Sequence, residues 1–288
     1  MKLFLAVQLF TLNIMLGQVT TMSRNIDTLK DEQTIRRAET LQSLFIEASF
    51  NNKSTGTATG FIIKSKTQYY LITNWHVVTN KDPRTLQWIN PNNKTTPNKI
   101  SIFYRRKNNI GEITIKQEML INESGRRYVE YGIGKEIGDV VAIPLKDTAG
   151  DICIFPLNYK NTCDSILLRP TESVFIVGFP LGFSSGLSYP SSYPLSYFPI
   201  YKHGTIASEP DVNEGDRPIM LVDADVYRGM SGSQVYYINN GIIVLKNEKK
   251  TLNLNAYFLG ILSSQNEKIK INSIWKSTYL KKFFDSLP

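Results

Sequence analysis

Short apolar stretches rich in β-branched and aromatic residues recur along most of this chain, and turn-forming or polar residues separate each from the next. Branched and aromatic side chains favour strands because they pack well on a pleated surface. The chain is therefore predicted to be mostly β. In chain order the stretches are SLFIEASF, TATGFIIKS, TQYYLITN, KISIFY, EITIKQ, RYVEYGI, DVVAIPL, SVFIVGFP, GTIAS, IMLVDADV, SQVYYI, GIIVL and AYFLGIL.

The chain length and its C-terminal pattern complete this outline. The 288 residues exceed one average domain, yet all-β proteins often use this length for one globular unit, so we expect two packed halves. A helix is predicted at the C-terminus, where apolar residues recur at helical spacing: Ile274, Trp275, Tyr279, Leu280 and Phe283.

The composition is that of a globular protein with a basic surface. Hydrophobic residues make up 42 % of the chain and charged residues 20 %, which is enough apolar material for a sizeable core. The formal net charge is +8. The lysines and arginines lie singly or in short clusters, with no long basic tract or basic helical stripe. We interpret the charge as a solvated surface and predict that nucleic acid is not a partner.

The N-terminus combines an early positive charge, Lys2, with an apolar run over residues 3–16. That run is too short to span a bilayer and fits the apolar region of a secretory leader. We predict a signal peptide over residues 1–22, a polar extension over residues 23–42 and no stable membrane anchor. The alternative is an amphipathic helix packed on the body. The protein is expected to be secreted or periplasmic if the leader is real, and cytoplasmic otherwise.

The chain has only two cysteines, Cys153 and Cys163, which are too few for a disulfide framework. They form either one bridge that closes a short loop, in an oxidising compartment, or two buried thiols. The chain also has only two histidines, so no metal-ligand cluster can be assembled. We expect neither a metal nor an organic cofactor.

The stretch RGMSGSQV, over residues 228–235, carries Ser231 between two glycines. Alone, such a cluster marks a turn for conformational reasons. His76 follows the apolar stretch LITN, and Asp139 opens the buried-looking stretch DVVAIPL. Each of these is most simply structural when taken alone. Together, in the order His76, Asp139 and Ser231, they have the residue types of a catalytic triad.

The three residue types are needed together for a chemical reason. A serine hydroxyl is a poor nucleophile at neutral pH, so an imidazole must accept its proton and later deliver it to the leaving amine. A carboxylate fixes the imidazole tautomer and stabilises its cation. The tetrahedral oxyanion needs backbone donors, and we expect the amides of Gly229 and Ser231 to converge on it because glycine permits the required turn.

Six segments resemble the trypsin-like serine peptidases of the chymotrypsin fold, in their bacterial-type, disulfide-poor branch. The last of the six is similar to the strand that lines the primary specificity pocket. The segments span the chain from about residue 44 in the family's order. They are TGTATGF, LITNWHVV, GDVVAIPL, VGFPLGF, DADVYRGMSGSQV and FLGILSS.

This resemblance implies an all-β fold of two six-stranded antiparallel barrels with a C-terminal helix. The first barrel, over residues 43–152, contributes His76 and Asp139, and the second, over residues 153–288, contributes Ser231 and the helix. The implied activity is that of a serine endopeptidase, which hydrolyses protein or peptide substrates through an acyl-enzyme. The alternative is a catalytically inactive chain that keeps the fold as a binding or scaffolding protein. The oligomeric state is left undetermined.

Two residues depart from the family's pattern near the predicted nucleophile. Met230 stands where digestive members have an aspartate that captures a freed N-terminal ammonium. Methionine cannot form that ion pair, so the oxyanion loop is expected to be preformed or ordered by another contact. Gln234 stands where most relatives have a proline, which is expected to loosen the turn slightly.

Four further residues are predicted to bind substrate. Asp225 lies six residues before Ser231, at the position of the acid in trypsin's pocket, which taken literally predicts cleavage after Arg or Lys. It is equally open to a role as a structural hydrogen-bond acceptor. Ser263 matches the residue whose hydroxyl bonds the triad carboxylate. Ser264 and Gln265 are expected to form the edge on which a substrate pairs as a strand.

Overall fold

A computed structural model describes residues 37–133, 136–182, 184, 198–238, 242–247, 249–252, 256–266 and 269–288. The predicted leader, most of the polar extension and most of the proline-rich loop over residues 182–199 lie outside these ranges. The described chain forms two antiparallel β bodies.

The first body is a seven-stranded antiparallel sheet with strand order β5-β4-β1-β2-β3-β9-β8. Two short helices belong to it, α1 (Ala38–Gln42) before the first strand and α2 (Trp75–Thr79) after the third. A two-stranded hairpin, β6 with β7, lies beside the sheet. The strands are β1 (Ser43–Phe50), β2 (Lys53–Ser65), β3 (Gln68–Thr73), β4 (Lys99–Arg105), β5 (Ile113–Met119), β6 (Ile121–Asn122), β7 (Gly125–Arg126), β8 (Val129–Ile133) and β9 (Glu136–Pro144).

The second body is a closed barrel of six strands in the order β10-β11-β12-β17-β16-β13. A 3₁₀ turn over Pro180–Gly182 follows its first strand, and the helix α3 (Ser277–Ser286) follows its last. The pair β14 and β15 forms a separate hairpin. The strands are β10 (Ser173–Gly178), β11 (Ile200–Ile206), β12 (Ile219–Ala224), β13 (Gln234–Ile238), β14 (Ile242–Val244), β15 (Lys250–Leu252), β16 (Ala256–Asn266) and β17 (Ile271–Lys276).

The predicted all-β class, with two barrel-like halves and a C-terminal helix, is confirmed. One detail of the first half differs from the expected six-stranded barrel: seven strands form its sheet, and within the described residues β5 and β8 are its edges rather than a closed pair. The hairpin β6–β7 lies between these two strands in the chain. Its two strands pair with each other and do not connect the edge strands β5 and β8 within the described residues.

The terminal helix begins later than its periodicity predicts. Ile274 and Trp275 belong to β17, where they pair with β12 and β16, and α3 starts only at Ser277. Both residues are at most 3 % exposed. The strand is buried from Asn272 to Lys276, so two adjacent apolar residues within it match both a buried strand and the start of a helix, which periodicity alone does not distinguish. No helix in the described ranges is long and apolar enough to cross a membrane.

Apolar side chains from both bodies form one core between them. Phe61 of β2 packs edge to face against Phe258 of β16, with ring centroids 5.9 Å apart. The same core takes in Phe283 and Phe284 of α3, so the terminal helix packs against both bodies. A cleft lies between these bodies, and its geometry therefore depends on this shared core.

The chain passes from the first body to the second over residues 157–161. The Leu157 amide bonds the Ile62 carbonyl of the first sheet (2.7 Å), and the Phe258 amide of the barrel bonds the Asn161 carbonyl (2.9 Å). One cysteine precedes this connecting segment in the chain and the other follows it. Cys153 and Cys163 are buried and are not joined by a disulfide. Burial raises the pKa of the Cys163 thiol well above its ordinary range.

Candidate functional site

His76 is held at the start of a short, well-anchored helix. Strand β3 ends at Thr73, Asn74 follows in extended conformation, and α2 begins at Trp75. The Trp75 ring is buried in the core of the first body, and its indole N–H donates to Glu130 (2.9 Å). The His76 side chain remains 16 % exposed. The helix is thus fixed by its buried face while the imidazole reaches the surface of a cleft.

Asp139 lies inside β9, and its side chain is almost fully buried. One carboxylate oxygen accepts the His76 backbone N–H (2.9 Å), and the other contacts His76 Nδ1 (2.8 Å). This second oxygen also accepts the hydroxyl of Ser263 (2.6 Å). In addition, the Asn74 side-chain amide bonds the Asp139 carbonyl (2.7 Å). These bonds hold the carboxylate in one orientation and satisfy a charge that would otherwise be costly to bury.

These contacts determine the state of the His76 ring. A carboxylate only accepts hydrogen bonds, so Nδ1 carries the proton and Nε2 keeps a lone pair. Burial lowers the pKa of His76, but the charge of Asp139, its hydrogen bond and a further contribution from Asp82 raise it, and the net pKa lies above the ordinary value. The imidazole is therefore a strengthened base with its accepting nitrogen on the side opposite Asp139.

Ser231 lies in the tight loop between β12 and β13, and two flanking glycines shape that loop. Gly229 has φ +91° and Gly232 has φ +84°, values that favour glycine. A Cβ on Gly229 would lie 2.4 Å from the Phe179 carbonyl oxygen, and one on Gly232 would lie 2.2 Å from that of Thr59. Both positions therefore require glycine, for conformation and for space.

The peptide unit between Arg228 and Gly229 has a defined orientation. The Arg228 carbonyl accepts the Leu181 amide at 2.5 Å. In a trans peptide the amide points opposite to the carbonyl, so the Gly229 N–H faces away from Leu181. This N–H has no hydrogen-bond partner within the part of the chain that the structure describes.

The Ser231 amide is oriented in the same way. The Met230 carbonyl, which shares its peptide unit, accepts the Ser233 amide at 3.0 Å. The Ser231 N–H is thereby turned in the opposite direction and has no partner among the described residues. Two unpartnered amides, two residues apart in a tight loop, are suited to bind a developing oxyanion.

Met230 is fully buried in the core of the second barrel, beside residues such as Met220 and Val235. Apolar packing thus anchors this residue of the Ser231 loop in the barrel. Gln234 is also fully buried, at the start of β13, and neither atom of its side-chain amide has a partner among the described residues.

Thr59 of β2 connects the first body to the Ser231 loop, and the sequence analysis did not single it out. Its backbone N–H donates to the Ser231 carbonyl (2.9 Å), and its hydroxyl donates to the Gly229 carbonyl (2.9 Å). The same hydroxyl accepts the Phe179 amide (3.1 Å). The only signal in the sequence was its place in TGTATGF. A threonine in a predicted strand gives no indication of which distant backbone groups its hydroxyl will bond.

His76, Asp139, Ser231 and Ser263 line one cleft of about 760 Å³ between the two bodies. The structure therefore brings the three predicted triad residues and Ser263 together. Within the described residues no hydrogen bond joins His76 to Ser231. In unliganded sites this bond is often long, and it tightens when substrate binds.

The other predicted substrate-binding residues are placed differently. Asp225 does not line the cleft: its side chain is 60 % exposed, accepts the Tyr227 hydroxyl at 2.6 Å and lies 3.4 Å from the Lys202 ammonium. It therefore acts as an acceptor at the surface. Ser264 and Gln265 belong to β16, where the backbone of Gln265 pairs with Asn272. Among the described residues no group of three or more His, Cys, Asp or Glu could hold a metal ion.

Comparisons with known proteins identify the family of this chain. A family model described as the trypsin-like peptidase domain matches residues 58–243, which is more than half of the chain. No curated protein gives a significant match.

Solved structures of proteases also match, at low identity. A serine endoprotease from Yersinia pestis is 16 % identical over 87 % of this chain and 63 % of that chain, with a TM-score of 0.42, so this chain spans less than two thirds of its length. The active form of the Rv3671c protease from M. tuberculosis is 16 % identical over 88 % of this chain and 85 % of that chain, with a TM-score of 0.47.

Proposed function

We infer that this protein, which belongs to the trypsin-like peptidase family, is a serine endopeptidase that acts on protein or peptide substrates. His76, Asp139 and Ser231 are its catalytic residues. The observation that carries this proposal is the hydrogen-bonded pair of His76 and Asp139, with Nδ1 2.8 Å from the carboxylate, in the same cleft as a serine held in a glycine-shaped loop.

The first half of the reaction acylates Ser231. His76 Nε2 accepts the hydroxyl proton while Ser231 Oγ attacks the carbonyl carbon of the scissile peptide bond. The carbonyl oxygen becomes an oxyanion that accepts hydrogen bonds from the amides of Gly229 and Ser231. The C–N bond then breaks, and the nitrogen takes the proton from His76. The amine product departs, and the acyl group remains bound to Ser231 as an ester.

The second half repeats these steps with water as the nucleophile. His76 accepts a proton from water, the resulting hydroxide attacks the ester carbonyl, and the same two amides bind the second oxyanion. The ester C–O bond breaks, and the proton returns from His76 to Ser231 Oγ. The carboxylic acid product leaves and the serine is regenerated.

Asp139 supports both halves without taking a proton. Its negative charge stabilises the imidazolium that forms in each step, and its bond to Nδ1 keeps the ring oriented. Ser263 and the His76 backbone N–H bond the same carboxylate, at 2.6 and 2.9 Å, so the charge stays in place while the ring changes its protonation.

The proposal is tested by labelling the full chain with a fluorophosphonate, which reacts only with an activated serine. We expect the wild-type protein to be labelled and the Ser231→Ala variant to remain unlabelled. Circular dichroism and a cooperative unfolding transition show whether each sample is folded. If the wild-type chain is folded and stays unlabelled, the proposed enzymatic function is wrong, and the alternative of a binding or scaffolding protein is supported.

A further inference from the structure

We propose that one part of the cleft, the recess lined by Val226 and Leu262, binds an aliphatic side chain of the substrate, the one preceding the scissile bond, and that Val226 is its specificity-determining residue. This inference rests on the proposed peptidase function and names the substrate class for that same site. It differs from the prediction that Asp225 selects Arg or Lys.

The first observation is the direction of two neighbouring side chains. Asp225 points out to solvent, where the Tyr227 hydroxyl and the Lys202 ammonium satisfy its carboxylate. Val226 points the other way: it lines the cleft, is only 7 % exposed and packs in the core of the second barrel. Burial alternates along residues 223–227, where 224 and 226 are buried and 223, 225 and 227 are exposed, so an inward Val226 places Asp225 outside.

The second observation is a further apolar side chain in the cleft lining, that of Leu262. Leu262 of β16 donates its amide to the Ser233 carbonyl (2.9 Å) and accepts the Gly232 amide (3.1 Å), which fixes it against the nucleophile loop. Leu262 lines the cleft and is 3 % exposed. Leu262 and Val226 thus give the cleft that contains Ser231 an aliphatic part of its lining.

The third observation is the charge of the cleft. Its described acidic side chains are Asp139, which is bound by His76 and Ser263, and Asp82, which accepts two backbone amides and a hydroxyl of its own loop. All three bonds of Asp82 reach one carboxylate oxygen, Oδ1, and neither acid belongs to the segments that carry Val226 and Leu262. The described cations of the lining are Arg84, Arg217 and Arg228.

These three features disfavour a basic side chain. A lysine or arginine in the recess would lose its hydration against Val226 and Leu262, and neither of these two side chains supplies a counter-charge, which is unfavourable. An aliphatic side chain gains free energy by leaving water. We therefore expect kcat/KM for a substrate with Leu or Val before the scissile bond to exceed that with Lys or Arg by about 100-fold or more.

The test uses the full chain and a set of fluorogenic peptides that differ only in the residue before the scissile bond: Leu, Val, Phe, Glu, Lys and Arg. The wild-type profile alone decides the main point. A preference for Lys or Arg would overturn the inference, and so would equal cleavage of all six peptides.

Two adjacent substitutions form the matched pair that tests Val226. We expect Val226→Asp to raise cleavage after Lys and Arg relative to Leu by at least about 10-fold, since it places a carboxylate in the recess. We expect Asp225→Asn to leave the profile unchanged. The opposite result, in which Asp225→Asn alters the profile and Val226→Asp does not, would assign the pocket to Asp225.

Fluorophosphonate labelling of every protein separates this inference from the proposed function. If the wild-type chain is labelled but shows no preference for aliphatic residues, only the inference about the recess is contradicted. Folded wild-type chain that is not labelled contradicts the peptidase function itself. If Val226→Asp does not fold, the wild-type profile still tests the aliphatic preference, and Asp225→Asn still tests whether Asp225 sets it.

Discussion

The charge of Asp139 sets the basicity of His76, and this pair is the residue-scale basis of the proposed activity. The carboxylate is buried, so its field is weakly screened and acts strongly on the ring 2.8 Å away. The result is a raised pKa for His76. A raised pKa strengthens the base, and it also means that the ring is protonated over a wider range of acidic pH.

We expect kcat/KM to fall as the pH drops through the raised pKa of His76, because a protonated ring cannot accept the Ser231 proton. The acid limb of the pH profile should therefore lie above about pH 6.5, the ordinary value for histidine. Asp139→Asn removes the charge that raises this pKa. It should move the limb to lower pH and reduce kcat by about 10⁴-fold. An unmoved limb in the folded variant would contradict the role given to Asp139.

The hydroxyl of Thr59 is a second residue-scale determinant, because it orients the Gly229 carbonyl across the two bodies (2.9 Å). Thr59→Val keeps the shape of the side chain and removes that bond, whereas Thr59→Ser keeps the hydroxyl. We expect the valine variant to lower kcat by about 10-fold to 100-fold with little change in KM, and the serine variant to retain most activity.

A transition-state analogue distinguishes this positioning role of Thr59 from a general loss of stability. Thr59→Val should weaken binding of a peptide aldehyde, whose adduct carries the oxyanion, more than binding of the matching peptide product. Equal weakening of both ligands would indicate that Thr59 acts only on the stability of the fold.

At the scale of elements, the strand pattern of the sequence was informative because most of the apolar stretches map onto strands with buried residues. Strand β1 is an example: Ile46 faces the core of the first body, while Phe45 faces Phe179 of the second (centroids 5.6 Å apart). The same pattern misplaced the start of the terminal helix, because Ile274 and Trp275 are buried in a strand whose two faces are both covered.

Strand β13 contains an element-scale weakness at Gln234. Its side-chain amide is fully buried, and within the described residues neither its oxygen nor its nitrogen is bonded. An unsatisfied buried amide costs about 1–3 kcal/mol. We expect Gln234→Leu to raise the free energy of unfolding by about 1–2 kcal/mol, measured by chemical denaturation.

The matched variant Gln234→Glu should lower the free energy of unfolding, because it places a charge in the same apolar position. Fluorophosphonate labelling of Gln234→Leu should remain at the wild-type level, since the side chain is not part of the cleft lining. A Gln234→Leu protein less stable than wild type would show that the amide is satisfied in solution.

At the scale of the whole molecule, the core between the two bodies holds the site together. His76 and Asp139 belong to the first body and Ser231 to the second, and the shared core includes the aromatic residues of α3. Phe284 is fully buried there, with its ring 5.3 Å from that of Tyr159. Stability and activity are therefore expected to depend on the same contacts.

We expect Phe284→Ala to lower the free energy of unfolding by about 3–5 kcal/mol and to reduce the rate of fluorophosphonate labelling with it. Phe50→Ala is the matched control, because Phe50 is 39 % exposed at the end of β1. That change should alter the free energy of unfolding by less than about 0.5 kcal/mol and leave labelling unchanged. A stable, fully labelled Phe284→Ala protein would show that the core does not maintain the site.

The sequence by itself determined the β-rich pattern, the two-part order of the chain and the residue types at the three candidate catalytic positions. These follow from local chemistry: apolar periodicity reports burial, and the glycines at 229 and 232 report conformations that other residues avoid. The quoted segments carried the family resemblance for the same reason, since each is a contiguous stretch of the chain.

Only the tertiary structure decided which way each neighbouring side chain faces and what it meets. Asp225 and Val226 are adjacent in sequence, yet the barrel turns one to solvent and the other into the cleft. Thr59 gained its role from the Gly229 carbonyl, 170 positions away in the chain. Such contacts join residues that are distant in sequence, and the folded packing that brings them together has no local signature.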